Sequence, residues 1–298
     1  MERLIRIDQQ IINKYKPDGF ALPQVLKLAG ASREYKINGE WTTVKPNARP
    51  EATRIIFDSR DQFRIARDVY FAWKTLSDTR IYNPVRPEEI IKRIFANRSS
   101  PIAPPLCLFV PWGVRPQGEF GYPEKAVLDR IRSLQVNLSQ RNINAQVLIM
   151  PADLYATEVN QQVNKDQIAK YFEDVTNWAY MRGFFVKPWS AIRQENMDIY
   201  QQRATELKKE KLEQMFIPAK IEEAISAAGR RSGYKTESDI QQAAFSYLRE
   251  RVCEAEIIES VYKPIKVSAV SKNKDNDVDR ELPRLYIIPN ELLFPWLK

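Results

Sequence analysis

Two loops in this chain carry residue types that suit a ligand site. In "VPWGVRPQGEFGYPE", residues 110–124, Trp112 offers a flat apolar wall, and Gly113 and Gly118 let a ligand approach the backbone. Arg115 supplies a fixed positive charge for a phosphate or carboxylate, and the helix opening at Pro123-Glu124 presents free amides. The spacing of Gly113, Gly118 and Gly121 is not that of a dinucleotide fingerprint, and no Gly-Lys-Ser/Thr follows as in a P-loop. No nucleotide cofactor is therefore expected, and the alternative is a long connection stiffened by prolines. In "MPADLYATEVN", residues 150–160, Asp153, Tyr155 and Glu158 are the candidate catalytic set. A carboxylate here would bind a substrate amine or serve as a base, and a tyrosine would donate to a developing oxyanion. Equally, Asp153 would cap the helix that follows.

Two further stretches are basic. In "RGFFVKPWSAIRQEN", Lys187 and Arg193 flank Trp189, a mixture that suits phosphate or an unpaired base and equally an amphipathic packing segment. "GRRSGYK" places Arg230, Arg231 and Lys235 in a glycine loop, either as an arm touching phosphates or as plain surface. Tyr247 and Glu250 lie three apart on one helix, facing a pocket together or dividing into a core tyrosine and a surface glutamate.

The chain has no histidine, which excludes every Ser-His, Cys-His and His-metal mechanism. Cys107 and Cys253 are too few for a disulfide framework or a zinc cluster and read as packing thiols. Neither a metal nor another cofactor is expected. The 46 Lys and Arg against 38 Asp and Glu leave a net charge of +8, compatible with nucleic acid or anionic metabolites. No window reaches the roughly 18 uninterrupted apolar residues of a membrane span, and the start "MERLIRIDQQ" lacks a signal core. A cytoplasmic protein without membrane partners is expected.

The elements that must hold these residues follow from periodicity. "LIRIDQQIINKY" and "ALPQVLKLAG" have helical spacing, and "YKINGEWTTV" is a hairpin about Asn38-Gly39. Residues 1–49 thus form a helix-helix-hairpin appendage, either winged-helix-like or a lid, joined through the linker "KPNARPEA" to an α/β domain at 50–298. "RIIFDSRDQFRIARDVYFAWKTL" and "PEEIIKRIFANR" read as helices, the second opening on Pro87. Strand "LCLFV", helix "PEKAVLDRIRSLQVNLSQRN" and strand "AQVLIM" make a βαβ unit of a buried, mainly parallel sheet. There follow the helix "DQIAKYFEDVTNWAYMRG", a strand "FFVKPW" and a long helical region from Ala191 to about Lys220. "KPIKVSAVSK" and "PRLYIIP" read as an antiparallel pair around the polar loop "NKDNDVD".

With "LFVPW", "GYPEKAVLDRI", "AQVLIMPADLY", "KPIKVSAV" and "PRLYIIPNELLFPW" in this order, the chain resembles the isocyanide synthase and dityrosine-biosynthesis family over roughly residues 60–298. The resemblance implies a Rossmann-like sheet flanked by helices and an enzyme of specialised metabolism acting on an amino acid, with a sugar phosphate as carbon source. Of that family's motifs only Asp153 and Ser268 match residue by residue. Ser268 joins Trp112, Gly113, Arg115 and Gly118 as a substrate-binding candidate. The order of strand, glycine loop, helix and strand, with Tyr247 and Glu250 late in the chain, is also similar to the tRNA-dependent cyclodipeptide synthases. That similarity implies aminoacyl transfer from tRNA, although the family's Tyr and Glu are four apart and its serine after the first strand is missing.

The expected function is thus an enzyme acting on an amino acid or activated amino acid. The alternatives are tRNA-dependent aminoacyl transfer, a non-catalytic basic nucleic-acid-binding protein, and an inactive subunit kept as a partner.

Overall fold

A computed structural model describes residues 5–8, 21–43, 47, 49–78, 85–100, 102–113, 120–155, 165–230, 236–268 and 282–286. The chain divides into two compact units. The first comprises residues 1–79, 86–106 and 136–145, and the second the remainder.

The first unit is built on a four-stranded antiparallel sheet of order β1-β4-β2-β3. Its strands are β1 (Ile5–Asp8), β2 (Ser32–Ile37), β3 (Glu40–Thr42) and β4 (Ala52–Phe57). The hairpin expected about Asn38-Gly39 joins β2 to β3, and both turn residues have positive φ, 51° and 82°, as a type I′ turn requires. Among the described residues the unit also holds the helices α1 (Ala21–Leu28), α2 (Arg60–Asp78) and α3 (Pro87–Ser99). Val25, Phe57, Val69, Trp73, Leu76, Ile90, Ile91 and Ile94 are buried.

Three expectations change here. The N-terminal stretch read as a helix contains a strand, because Ile5 to Asp8 also alternates with period two and β4 offers it a pairing edge. Residues 9–20 lie outside the described residues. "RIIF", read as helical, is the end of β4, since β-branched Ile55 and Ile56 suit a strand buried on both faces. The helix begins only after Ser59, whose hydroxyl accepts from the Gln62 amide at 3.1 Å while Gln62 Oε1 accepts from the Asp58 amide at 3.0 Å. That capping signal, Ser-Arg-Asp-Gln, is legible in the sequence. Finally, the N-terminal unit does not close at residue 49, because β4 pairs with both β1 and β2 and the sheet is incomplete without it.

The second unit holds a parallel five-stranded sheet of order β7-β6-β5-β8-β9. Its strands are β5 (Leu106–Trp112), β6 (Ala145–Pro151), β7 (Phe185–Val186), β8 (Ile265–Ser268) and β9 (Arg284–Tyr286). Leu108, Phe109, Val110, Val147, Ile149 and Met150 are almost wholly buried, which is why both strands read as continuous apolar runs. Helix α4 (Tyr122–Ser139) links β5 to β6, and α5 (Lys165–Tyr180) links β6 to β7. Beyond β7 come α6 (Trp189–Glu195), α7 (Met197–Glu206), α8 (Lys209–Met215), α9 (Pro218–Gly229) and the 26-residue α10 (Glu237–Tyr262). The region expected to be helical from Ala191 to about Lys220 is a run of short helices, with Pro218 starting the last.

Strands 5, 6 and 7 wind outward one way and 8 and 9 the other, so the order reverses between β5 and β8, as in a doubly wound sheet. The unit is Rossmann-like. The closing pair is parallel rather than antiparallel, with Lys266 opposite Arg284 and Ser268 opposite Tyr286. Residues 269–283 between them are numerous enough for a crossover, and a polar loop carries no signal that separates a crossover from a hairpin.

Candidate functional site at the carboxyl edge of the parallel sheet

Parallel strands bring Trp112, Pro151, Val186, Ser268 and Tyr286 to one edge, the side on which open α/β sheets take ligands. Just past the end of β6 the chain meets the middle of α10, where Glu250 and Glu254 stand one helical turn apart on its buried face. They are 5% and 1% exposed, so each carboxylate must be matched by donors. Glu250 accepts from the Trp189 indole N–H at 2.6 Å, the Tyr200 hydroxyl at 2.6 Å and the Arg193 guanidinium at 3.2 Å. Glu254 accepts from the Tyr155 hydroxyl at 2.6 Å and Arg251 at 2.6 Å. Tyr155 in turn packs edge-on to Tyr247, ring centroids 5.7 Å apart, with the Arg251 guanidinium 5.6 Å from its ring. The apolar floor is Phe109, Leu148, Met150, Leu154, Trp189, Ile192, Ile257 and Ile258.

Asp153 ties this cluster to the loop after β6. Its Oδ1 accepts from the Ser190 amide at 3.1 Å, in the first turn of α6. It therefore holds a helix start, as the capping alternative required, but the start of α6 beyond β7 rather than of the next helix. Trp189 and Arg193 leave that same helix towards Glu250.

The phenols are donors, not bases. Burial first, then the charge of Glu254, holds Tyr155 well above the ordinary phenol range, against the opposing pull of Arg251. Burial and the hydrogen bond to Glu250 push Tyr200 up to about 12. Burial, with Glu250 and Glu256 nearby, also pushes the Cys253 thiol up to about 12, so it stays protonated and is not a nucleophile. The Tyr155 proton is committed to Glu254, so it serves a substrate oxyanion only if that bond is given up. Because folding favours the protonated phenols, their contribution is complete below the ordinary value near 10 and is lost as pH rises through about 12 for Tyr200. The urea midpoint of the intact chain is expected to fall between about pH 10 and 12. Tyr200→Phe should flatten part of that fall, whereas an unchanged pH profile in the variant would mean that Tyr200 titrates normally.

The other expected site residues are distributed as follows. Trp112 is buried and donates its indole N–H to the Tyr171 hydroxyl at 3.0 Å, so it is part of the core rather than a wall open to a ligand. Gly113 is exposed at the end of β5. Ser268 is buried at the end of β8 opposite Tyr286. Lys187 pairs with Glu195, and that hydrogen bond raises its pKa. Arg193 is turned inward to Glu250, and Arg230 stands exposed just past α9. Arg115, Gly118, Glu158, Arg231 and Lys235 lie outside the described residues. Glu250 is not the surface glutamate of the bland alternative. Sequence reasoning missed Glu254, Tyr200 and Arg251, although Glu250 and Glu254 at four-residue spacing among Leu248, Val252, Ile257 and Ile258 marked carboxylates on an apolar helix face. Among the described residues no three His, Cys, Asp or Glu gather as metal ligands would, and no helix is long and apolar enough to cross a membrane.

No protein-family model and no curated protein matches the sequence. Among solved structures the chain is similar to PvcA from Pseudomonas aeruginosa, at 11% identity over 74% of this chain and 84% of that one, TM-score 0.48. It is also similar to a CDPS from Fluoribacter dumoffii, at 13% identity over 61% of this chain and 89% of that one, TM-score 0.41. These are an isocyanide synthase and a cyclodipeptide synthase, the two families that the sequence resembles. At these values neither likeness decides the activity.

Proposed function

We propose that the C-terminal unit is the catalytic part of an enzyme that acts on an amino acid or an activated amino acid, bound at the carboxyl edge of its parallel sheet. One observation carries this reading. Around the end of β6, Asp153 holds the start of α6, the helix that sends Arg193 to Glu250, while Glu254 pairs with Arg251. Asp153 is a further carboxylate beside these two ion pairs, at the edge where such sheets bind ligands, and an ammonium group complements a carboxylate there. Tyr155 and Tyr200 stay protonated and act as donors, while the absence of histidine leaves proton transfer to the carboxylates. The nucleic-acid reading has less support among the described residues, because Lys187 and Arg193 are each paired with a glutamate.

The test is calorimetric titration of the full chain with a panel of L-amino acids, their 2-hydroxy-acid counterparts, non-hydrolysable aminoacyl-adenylate analogues and charged tRNA. An ammonium-bearing ligand is expected to bind at least tenfold more tightly than its hydroxy-acid counterpart, and Asp153→Asn to remove about that preference. Charged tRNA binding where the free amino acid does not would place the substrate on tRNA. Equal affinity for amino and hydroxy acids, unaltered in Asp153→Asn, would refute the reading.

A further inference from the structure

The N-terminal unit contains a second candidate site. A half-open cavity of about 230 Å³ lies between the four-stranded sheet and helices α1 and α2. Leu26 of α1, Ile55 and Phe57 of β4, and Ala66 and Tyr70 of α2 make an almost wholly apolar lining. Among the described residues the ionic group in the lining is Arg67, whose side chain is half exposed. An apolar cavity of about 150 Å³ stays dry and takes up benzene, so this one has room for an aromatic ring and a short chain, or for an aliphatic chain.

Charge specifies the other end of the ligand. Asp68, next to Arg67 on α2, is buried and accepts from Arg67 at 2.9 Å, from Arg98 at 2.9 Å and from the Asn142 side-chain amide at 3.1 Å. Two guanidinium groups thus share one carboxylate, and the cluster keeps one positive charge in surplus among the described residues. Arg141 adds another cation above Phe71, 5.1 Å from the ring of that further lining residue. An uncharged hydrocarbon would fill the cavity but leave this charge unmatched, whereas an anionic head at Arg67 would match it at the point where the cavity meets water.

We propose that this cavity binds a small amphiphilic carboxylate, with its apolar body between β4 and α2 and its head group at Arg67. The site is separate from the amino-acid site, and the two proposals stand or fall independently.

The experiment is isothermal titration of the full chain with 3-phenylpropionate and octanoate, using 3-phenylpropanol, octanol and butyrate as controls. Both amphiphilic carboxylates are expected to bind at least tenfold more tightly than the matching alcohols and than butyrate. Ala66→Leu, which adds volume inside the cavity, is expected to abolish binding with the thermal midpoint unchanged or raised. If that variant folds poorly, Ala66→Val makes the same test with less added volume. Arg67→Gln is expected to remove most of the preference for carboxylate over alcohol. Absence of binding up to the solubility limit, binding that survives filling at Ala66, or alcohols binding as well as acids would each overturn the proposal.

Discussion

Replacing Glu250 with alanine is expected to lower the stability of the C-terminal unit by about 3–5 kcal/mol, the usual cost of breaking a buried ion pair from one side. The carboxylate serves three donors at once, and the loss leaves the Trp189 N–H, the Tyr200 hydroxyl and the Arg193 guanidinium all without it. Arg193 is part-buried, and its charge would be the costliest group to leave. Glu250→Gln should cost less, because the amide oxygen still accepts from the Trp189 indole, and the Tyr200 hydroxyl, which bonds the other carboxylate oxygen, can instead accept from the amide N–H. It should also let the Tyr200 pKa fall back from about 12 towards its ordinary value, since the hydrogen bond and the negative charge are two of the causes that raise it. Urea unfolding of the two variants beside the parent measures the first effect, and ultraviolet phenolate titration the second. A loss below about 1 kcal/mol in Glu250→Ala would show the cluster to be solvated and exchangeable rather than a rigid hub.

Trp189→Ala is the second large effect, again about 3–5 kcal/mol, but for a different reason. The indole is wholly buried against Phe109, Leu148, Met150 and Ile257, so its removal opens a cavity in the middle of the core below the candidate site. Trp189→Phe separates the two contributions. It keeps most of the apolar volume and removes the donor to Glu250, with an expected cost of about 1–3 kcal/mol. Combined with Glu250→Ala, the phenylalanine variant should cost less than the sum of the single changes, because both remove the same hydrogen bond. Strict additivity in urea unfolding would mean that the 2.6 Å contact contributes nothing. Because Trp189 and Arg193 both leave α6, the helix whose first turn Asp153 holds, the tryptophan variants should also weaken the amino-acid binding proposed above.

The same residues show how much of the protein could be read from its sequence. Leu106 to Val110 and Val147 to Met150 are apolar on both faces and are separated by a helix with apolar residues at 127, 131, 134 and 138. That pattern is local, and it is enough to require a buried parallel βαβ unit with its loops on one edge. The Asn38-Gly39 hairpin and the Pro87 helix start were legible for the same reason, since turn and cap chemistry depends on adjacent residues. Where local signals were shared by two structures, the reading failed. Ile5 to Asp8 fits a strand or part of a helix, and only the edge of β4 selects the strand. The strands β8 and β9 are short enough to pair in either direction, and only their register in the fold, Lys266 opposite Arg284 and Ser268 opposite Tyr286, shows them parallel.

By itself, the sequence determined the α/β core, the edge at which its loops lie, and a chemistry without histidine, because strand and helix periodicity and composition are properties of neighbouring residues. Only the tertiary structure decided that Glu250 and Glu254 are buried hubs, that Asp153 holds α6, and that Trp112 belongs to the core. Their partners stand far away in the chain: 61 and 50 residues for Trp189 and Tyr200 with Glu250, and 99 for Tyr155 with Glu254. A side chain's burial and protonation are set by the groups that folding brings to it, and no spacing within the sequence encodes which groups those are.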